Sequence, residues 1–437
     1  MARIQLAPTF ICGALVIGFA GASHGAAAGE FEFGAEVAGE LRVFPNAPLF
    51  PDQLETAQPS LTIQPDARWE TEDRKHQIVV TPFFRLDGRD SERTHFDIRE
   101  AYYRFNSDQN WSVTVGAAKV FWGRTESRHL VDIVNQTDGV EDIDEEDKLG
   151  QPMVNLTIIK DWGAIDLFVL PGFRTRTFPG SDGRLRFDPA VDTDNPIFER
   201  DAGRAAVDYA ARYSHFIGNW DFGVSVFHGT SREPRFGFAP DPSADATGGI
   251  GGDTSSLAPI ALNGGLLPVY DRITQGSVDL QYTKDAWLWK LESLVRAGQG
   301  DTFFAAVAGF EYTLYQIFGG GADLGLLAEY QYDGRDLDVV AEDFGFALSA
   351  PVTVADNDVF LGARLALNDT QDTAILAGAT LDADDRTTAI FIEAERRLGQ
   401  NFTAEIEARL FVNVDPANIV NTFRDDDFVT FRLTRYF

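Results

Sequence analysis

What the chain goes without narrows the field first. Cys12 is the only cysteine in 437 residues, so an intrachain disulfide is impossible and cysteine metal sites are excluded. Positive charge is scarce: 37 Lys and Arg stand against 67 Asp and Glu, a formal charge of −30, and so acidic a surface repels nucleic acid. Beyond residue 28 no apolar run approaches the roughly 20 residues of a membrane-spanning helix. His76, His95, His129, His215 and His228 are scattered, none at metal-ligand spacing to another. No Gly-x-Ser-x-Gly nucleophile turn occurs after residue 28 either. These absences point away from an enzyme, and no catalytic residue, metal or cofactor is assigned.

What is present is alternation. From the first strand onward, Phe31, Phe33, Ala35, Val37, Leu41 and Val43 share one side of an extended chain, and Glu30, Glu32, Glu36, Glu40 and Arg42 share the other. A row of carboxylates needs water along that side. The pattern recurs at 61–69, 76–86, 96–105, 111–120, 153–160, 164–170, 204–216, 220–228, 270–282, 287–296, 303–317, 322–332, 358–368, 373–381, 388–398, 402–414 and 427–437. That makes about 18 strands, or 16 if one short pair is set aside. Pro65 removes a ladder donor from its segment, and the period slips near 99–103, where a bulge is expected.

The connections alternate too. Short ones such as 161–163 and 217–219 take turns with long ones such as 171–203 and 229–269, rich in Asp, Gly and Pro. Tight turns at one end and long loops at the other are the mark of an up-and-down membrane barrel, in which only alternate residues face lipid. An even strand number brings both termini to the same side. Trp69, Tyr102, Trp111, Trp220, Tyr282, Trp287, Trp289, Tyr312 and Tyr330 sit near strand ends, as interfacial girdles would.

Residues 1–28 read as a cleaved secretory signal: Arg3, an apolar stretch over 10–20, and Ala26-Ala27-Ala28 before Gly29. The last residues, Val429, Phe431, Leu433 and a terminal Phe437 on one face of a closing strand, resemble the terminal strand of bacterial outer-membrane β-barrels of the porin type. Arg435 departs from that pattern, standing where an apolar residue is usual. The resemblance implies that Phe431, Leu433 and Phe437 are read by the barrel-assembly machinery. It also implies residence in the outer membrane of a Gram-negative bacterium among lipid and lipopolysaccharide, and possible homo-oligomers.

The expected fold is therefore all-β: one antiparallel up-and-down transmembrane barrel over 29–437, wide enough at either strand count for a watery lumen. The wet faces offer Arg212, Glu329, Arg364, Glu393, Glu395, Arg397, Glu405, Glu407, Arg409 and Arg432 as pore-lining charges. The segment 121–152 breaks the rhythm. It is either a constriction loop folded into the lumen, with Arg124, Glu126, Arg128, His129 and Asp132 at the narrowing, or an external loop carrying a solvated acidic run over 141–147. Asp142, Asp144 and Glu146 have the spacing that opens a calcium loop, but Asp147 occupies the position that needs glycine; a solvated cluster with loosely held divalent ions is the expectation. The glycine-rich stretch 248–252 lacks the lysine of a phosphate cradle.

The functional expectation is a channel for passive diffusion of small hydrophilic solutes, with a weak preference for cations. A channel or exporter specific for one solute, an outer-membrane hydrolase and a soluble secreted all-β protein are the alternatives.

Overall fold

The computed structural model describes residues 29–238, 265–317 and 319–437. The expected signal segment and the glycine-rich stretch 248–252 lie outside the described residues. Eighteen long strands form one sheet: β1 (Gly29–Val43), β2 (Ala57–Thr71), β3 (His76–Asp87), β4 (His95–Asn106), β5 (Trp111–Ala118), β6 (Gln151–Lys160), β7 (Gly163–Pro171), β9 (Val207–Ile217), β10 (Trp220–Thr230), β13 (Arg272–Lys284), β14 (Trp287–Ala297), β15 (Phe303–Ile317), β16 (Ala322–Asp333), β19 (Asn357–Ala366), β20 (Ala374–Asp382), β21 (Thr388–Leu398), β22 (Phe402–Val412) and β23 (Phe428–Tyr436). Each pairs antiparallel with the next. β1 also pairs with β23, from Glu36 opposite Tyr436 to Val43 opposite Val429. The sheet thus closes and has no edge left to pair with another chain.

Closure follows from the alternation. Outward positions carry Phe31, Ile78, Phe84, Val115, Leu167, Val224, Val295, Leu361, Ile406 and Phe431, all large, apolar and exposed, while charged and hydroxyl side chains point inward. Short turns gather at one end with Gly29 and Phe437, long loops at the other. Thr81 lies opposite Glu100 and Pro82 opposite Ile98, so Arg99 is the extra residue of a bulge in β4. The β2–β3 ladder lapses between the pairs Ile63–Phe84 and Ala67–Val80. Continuing that register sets Pro65 against Pro82, two residues without an N–H to give.

Five short strands, β8 (Ile197–Phe198), β11 (Arg235–Phe238), β12 (Leu267–Tyr270), β17 (Val339–Glu342) and β18 (Gly345–Leu348), make a second sheet from the long loops, in the order β17-β18-β11-β12-β8. It was not expected from the sequence, because segments of two to four residues show no usable period.

The inner face is not polar throughout. Ala118, Met153, Phe168, Leu170, Ala210, Phe227 and Ile273 point inward from β5, β6, β7, β9, β10 and β13 and pack with Trp122, Val131, Ile133 and Val134 of the long β5–β6 connection. On these strands the inward face departs from the wet face that the alternation predicts. Each of the buried side chains of Met153, Phe168, Leu170, Phe227 and Ile273 contributes about 1.5–3 kcal/mol. Tyr102, expected in an outer girdle, faces inward and packs on this cluster, with the Arg104 guanidinium 5.1 Å from its ring centre.

Candidate functional site

The β5–β6 connection is folded inside the barrel and tied to its wall around most of the circumference. Its first part is held by wall carboxylates. Glu292 of β14, wholly buried, accepts the backbone N–H groups of Arg124 at 2.5 Å, Thr125 at 3.0 Å and Val131 at 3.1 Å. Glu329 of β16 accepts those of Glu126 and Ser127, both at 2.8 Å, and the Ser127 hydroxyl at 2.6 Å. A turn whose amides lack a helix or sheet to bond must find acceptors, and a buried carboxylate must find donors; each need answers the other.

The second part is held by wall arginines. Arg85 of β3 gives Nε to Glu141 at 2.8 Å and Nη1 to Glu40 at 3.2 Å. Arg93 bonds Glu40 at 2.8 Å and the Val140 carbonyl at 2.8 Å. Arg99, the bulged residue of β4, reaches Asp138 at 2.7 Å, and His95 lies 3.2 Å from the same carboxylate. Further along the same wall, Arg42 of β1 pairs with Asp142 at 2.5 Å and Arg409 of β22 with Asp144 at 2.9 Å. Within the run 141–147, Glu141, Asp142 and Asp144 are therefore ion-paired to the wall, while Asp144, Glu145, Glu146 and Asp147 keep exposed surface as the expected solvated cluster would. The Asp142 and Asp144 carboxylates are clasped by two guanidinium groups that meet because β1 and β22 flank the closing strand.

The charges placed in the lumen by sequence reasoning separate into three groups. Glu393, Glu405, Glu407 and Arg409 stand together on the inner face of β21 and β22, where Glu393 is directly opposite Glu407 and Glu395 opposite Glu405. Arg409 bridges Glu407 at 2.8 Å and Glu393 at 3.2 Å, and Arg432 lies 3.9 Å from Glu405. Arg364 pairs with Glu126 of the loop. A second group, Arg212 and Glu329, points inward but is buried beneath the loop; Arg212 is 2.7 Å from Asp279. Arg397 sits at the turn end, paired with Asp372.

Of the loop candidates, Arg124 pairs with Asp221 at 2.9 Å and Asp279 at 3.1 Å. Arg128 reaches Asp333 at 3.2 Å and the Ala355 carbonyl at 3.1 Å. Asp132 is buried and accepts the Trp122 N–H at 3.3 Å. Phe431, Leu433 and Phe437 face outward, and the Arg435 guanidinium lies 4.3 Å from the Phe437 ring centre. Glu40 and Arg42 were placed on a wet face but not among the lumenal candidates, and Arg85, Arg93, Arg99, Asp279 and Glu292 were not singled out, although Arg85, Asp279 and Glu292 are polar residues at inward alternate positions, the rule that found Glu405 and Glu407.

Two cavities flank the clasp. One of about 410 Å³ opens toward the loop end; the other, about 350 Å³, lies toward the turn end. Arg42, Asp142, Asp144, Leu376 and Glu393 line both, so the cavities meet at these residues. The lower cavity is lined by nine carboxylates and four arginines. Within the enclosed lumen, desolvation and the charge of Glu141 push the Asp147 carboxyl up to about 6. Desolvation and the neighbouring Asp142 raise Asp144 as well, while Asp142 is held low by Arg42 and Arg409 against its own burial.

Among the described residues, two groups of side chains come within metal-ligand reach: His95, Asp138 and Glu141, and Asp356, Asp382 and Asp384 at the loop end. In the first, Arg85 and Arg99 already occupy the carboxylates, which makes it an ion-pair node.

No known family model and no curated protein matches this chain. Solved structures do resemble it in fold. A BenF-like porin from Pseudomonas fluorescens Pf-5 aligns with TM-score 0.49 and 9% identity over 94% of this chain and 98% of that one. OprB of Pseudomonas putida aligns with TM-score 0.43 and 9% identity over 93% and 94%. A substituted Rh. blastica porin gives 0.42 and 12% over 93% and 100%.

Proposed function

We propose that this protein is a channel of the bacterial outer membrane, through which small hydrophilic solutes diffuse passively with a preference for cations. The observation that carries the reading is the meeting of two lumenal cavities at Arg42, Asp142, Asp144 and Glu393 inside a closed barrel. Its exposed apolar outer wall is costly in water and stable in hydrocarbon. The loop lies on the apolar inner patch of β5 to β13 and leaves the passage on the side of β19 to β23. There, Glu393, Glu395, Glu405, Glu407, Arg409, Arg364 and Arg432 act as pore-lining charges. Arg124, Glu126, Arg128 and Asp132 fix the loop that narrows the passage.

Nine carboxylates against four arginines in the lower cavity raise the local concentration of cations, which is the basis for the preference. The turn end faces the periplasm, residues 1–28 act as the export signal, and Phe431, Leu433 and Phe437 are presented to the assembly machinery. No catalytic group is assigned.

Liposome swelling tests the reading. Vesicles carrying the purified protein should swell in small neutral sugars and more slowly as the solute grows. No swelling beyond that of bare vesicles would overturn it.

A further inference from the structure

The cavity on the loop side of the clasp is walled differently from the lower one. On the inner face of β19 to β22, the row at the clasp sets Leu376 beside Glu393 and Glu407, and the next row up sets Gly362 opposite Gly378, then Phe391. A Cβ on Gly378 would lie 2.6 Å from the Phe360 ring, and one on Gly362 2.7 Å from it. The two missing side chains let that ring lie over them, stacked on Phe391 with 5.8 Å between centres and 11° between planes. Phe411, Phe423 and Phe187 continue the apolar lining, their ring centres 6.2 Å and 5.7 Å apart in turn. Charge is distributed unevenly on this lining. Every arginine that borders the cavity is paired and keeps 21% of its side chain exposed or less, whereas Glu393, Glu145 and Glu146 keep 43%, 51% and 66%. Arg364, more exposed, borders only the lower cavity and pairs with Glu126.

We infer, resting on the channel reading above, that this cavity is a binding chamber for arylalkylammonium cations, solutes that join a flat ring to an amine head. The ring seats against Phe391 and Phe411 beside the glycine pair, and the ammonium meets Glu393. Glu393 follows Phe391 by two residues on the same face of β21, roughly 7 Å along the strand, the reach of a ring with a two-carbon spacer. Ring surfaces in a watery passage gain by being covered with another ring, and an ammonium is drawn both to carboxylates and to aromatic faces. An arylcarboxylate fits the same walls but brings its charge to exposed carboxylates, with the guanidinium groups already engaged. An alkylammonium without a ring leaves the aromatic wall uncovered.

Current through single channels of the unaltered protein in potassium chloride is titrated with 2-phenylethylammonium, ethylammonium and phenylacetate. The expected result is interruption of the current by 2-phenylethylammonium at a roughly tenfold lower concentration than by ethylammonium, with phenylacetate inert over the same range. Phe391→Ala should bring the two amines together, and Glu393→Gln should raise both concentrations while keeping their ratio. If Phe391→Ala does not assemble, Phe411→Ala reads the same ratio. Two amines acting alike on the unaltered protein, or phenylacetate acting more strongly than either, overturn the chamber. Current steps that none of the three interrupts overturn it as well and leave the channel standing, whereas a protein that gives no current steps overturns the channel reading and the chamber with it.

Discussion

Glu292 and Glu329 carry more of the lumenal architecture than their number suggests. Each is a buried carboxylate whose oxygens face several backbone N–H groups of the loop, an arrangement in which charge on the acceptor strengthens every bond. Replacing Glu292 with Ala strands the amides of Arg124, Thr125 and Val131. At about 1–3 kcal/mol per unsatisfied group, these amides should exchange hydrogen roughly 5- to 150-fold faster, while amides of β14 itself stay protected. Unchanged exchange at all three would contradict the anchoring role.

At this scale the sequence was informative by alternation and silent about coverage. Glu405, Glu407 and Arg409 could be placed on an inner face from their spacing alone. That Arg212 and Glu329 are sealed under a loop could not be seen, because nothing in β9 or β16 encodes what lies on top of them. The partnership of Arg42 with Asp142 joins residues 100 apart through a barrel that must first close.

The strands were the most legible elements, since a side-chain period of two persists wherever one face is apolar and the other wet. The bulge at Arg99 showed as a slip in that period. The loop-end sheet did not show, and the β5–β6 connection read equally well as internal or external. The deciding fact is the apolar inner patch built from Met153, Phe168, Leu170 and Phe227, which makes several strands look apolar on both faces.

Besides the amides held by Glu292 and Glu329, the loop as an element has an apolar seat and an ionic clasp at Asp142 and Asp144. Changing both aspartates to asparagine leaves the seat intact and releases Arg42 and Arg409 toward the passage. The double variant should assemble normally, and its reversal potential in a salt gradient should move toward the anion side. A reversal potential equal to that of the unaltered protein would show that the clasp does not border the ion path.

For the whole molecule, charge and closure act together. A lumen enclosed by eighteen strands concentrates fixed charge, and the excess of carboxylates in the lower cavity sets its sign. Because Asp147 is raised to about 6 and Asp144 is also raised, their neutral forms persist to higher pH than usual for aspartate. Lowering the pH through about 6 adds protons and removes negative charge from the passage. Cation preference should therefore weaken as pH falls from about 7.5 to about 5, and a preference that is flat or rises over this window would place the selectivity elsewhere.

The most direct measurement is the current through the purified protein in a planar lipid bilayer under a potassium chloride gradient at neutral pH. Discrete conductance steps with a reversal potential on the cation-selective side are predicted. A bilayer that remains as resistive as bare lipid, or steps with clear anion selectivity, would contradict a water-filled passage lined chiefly by carboxylates.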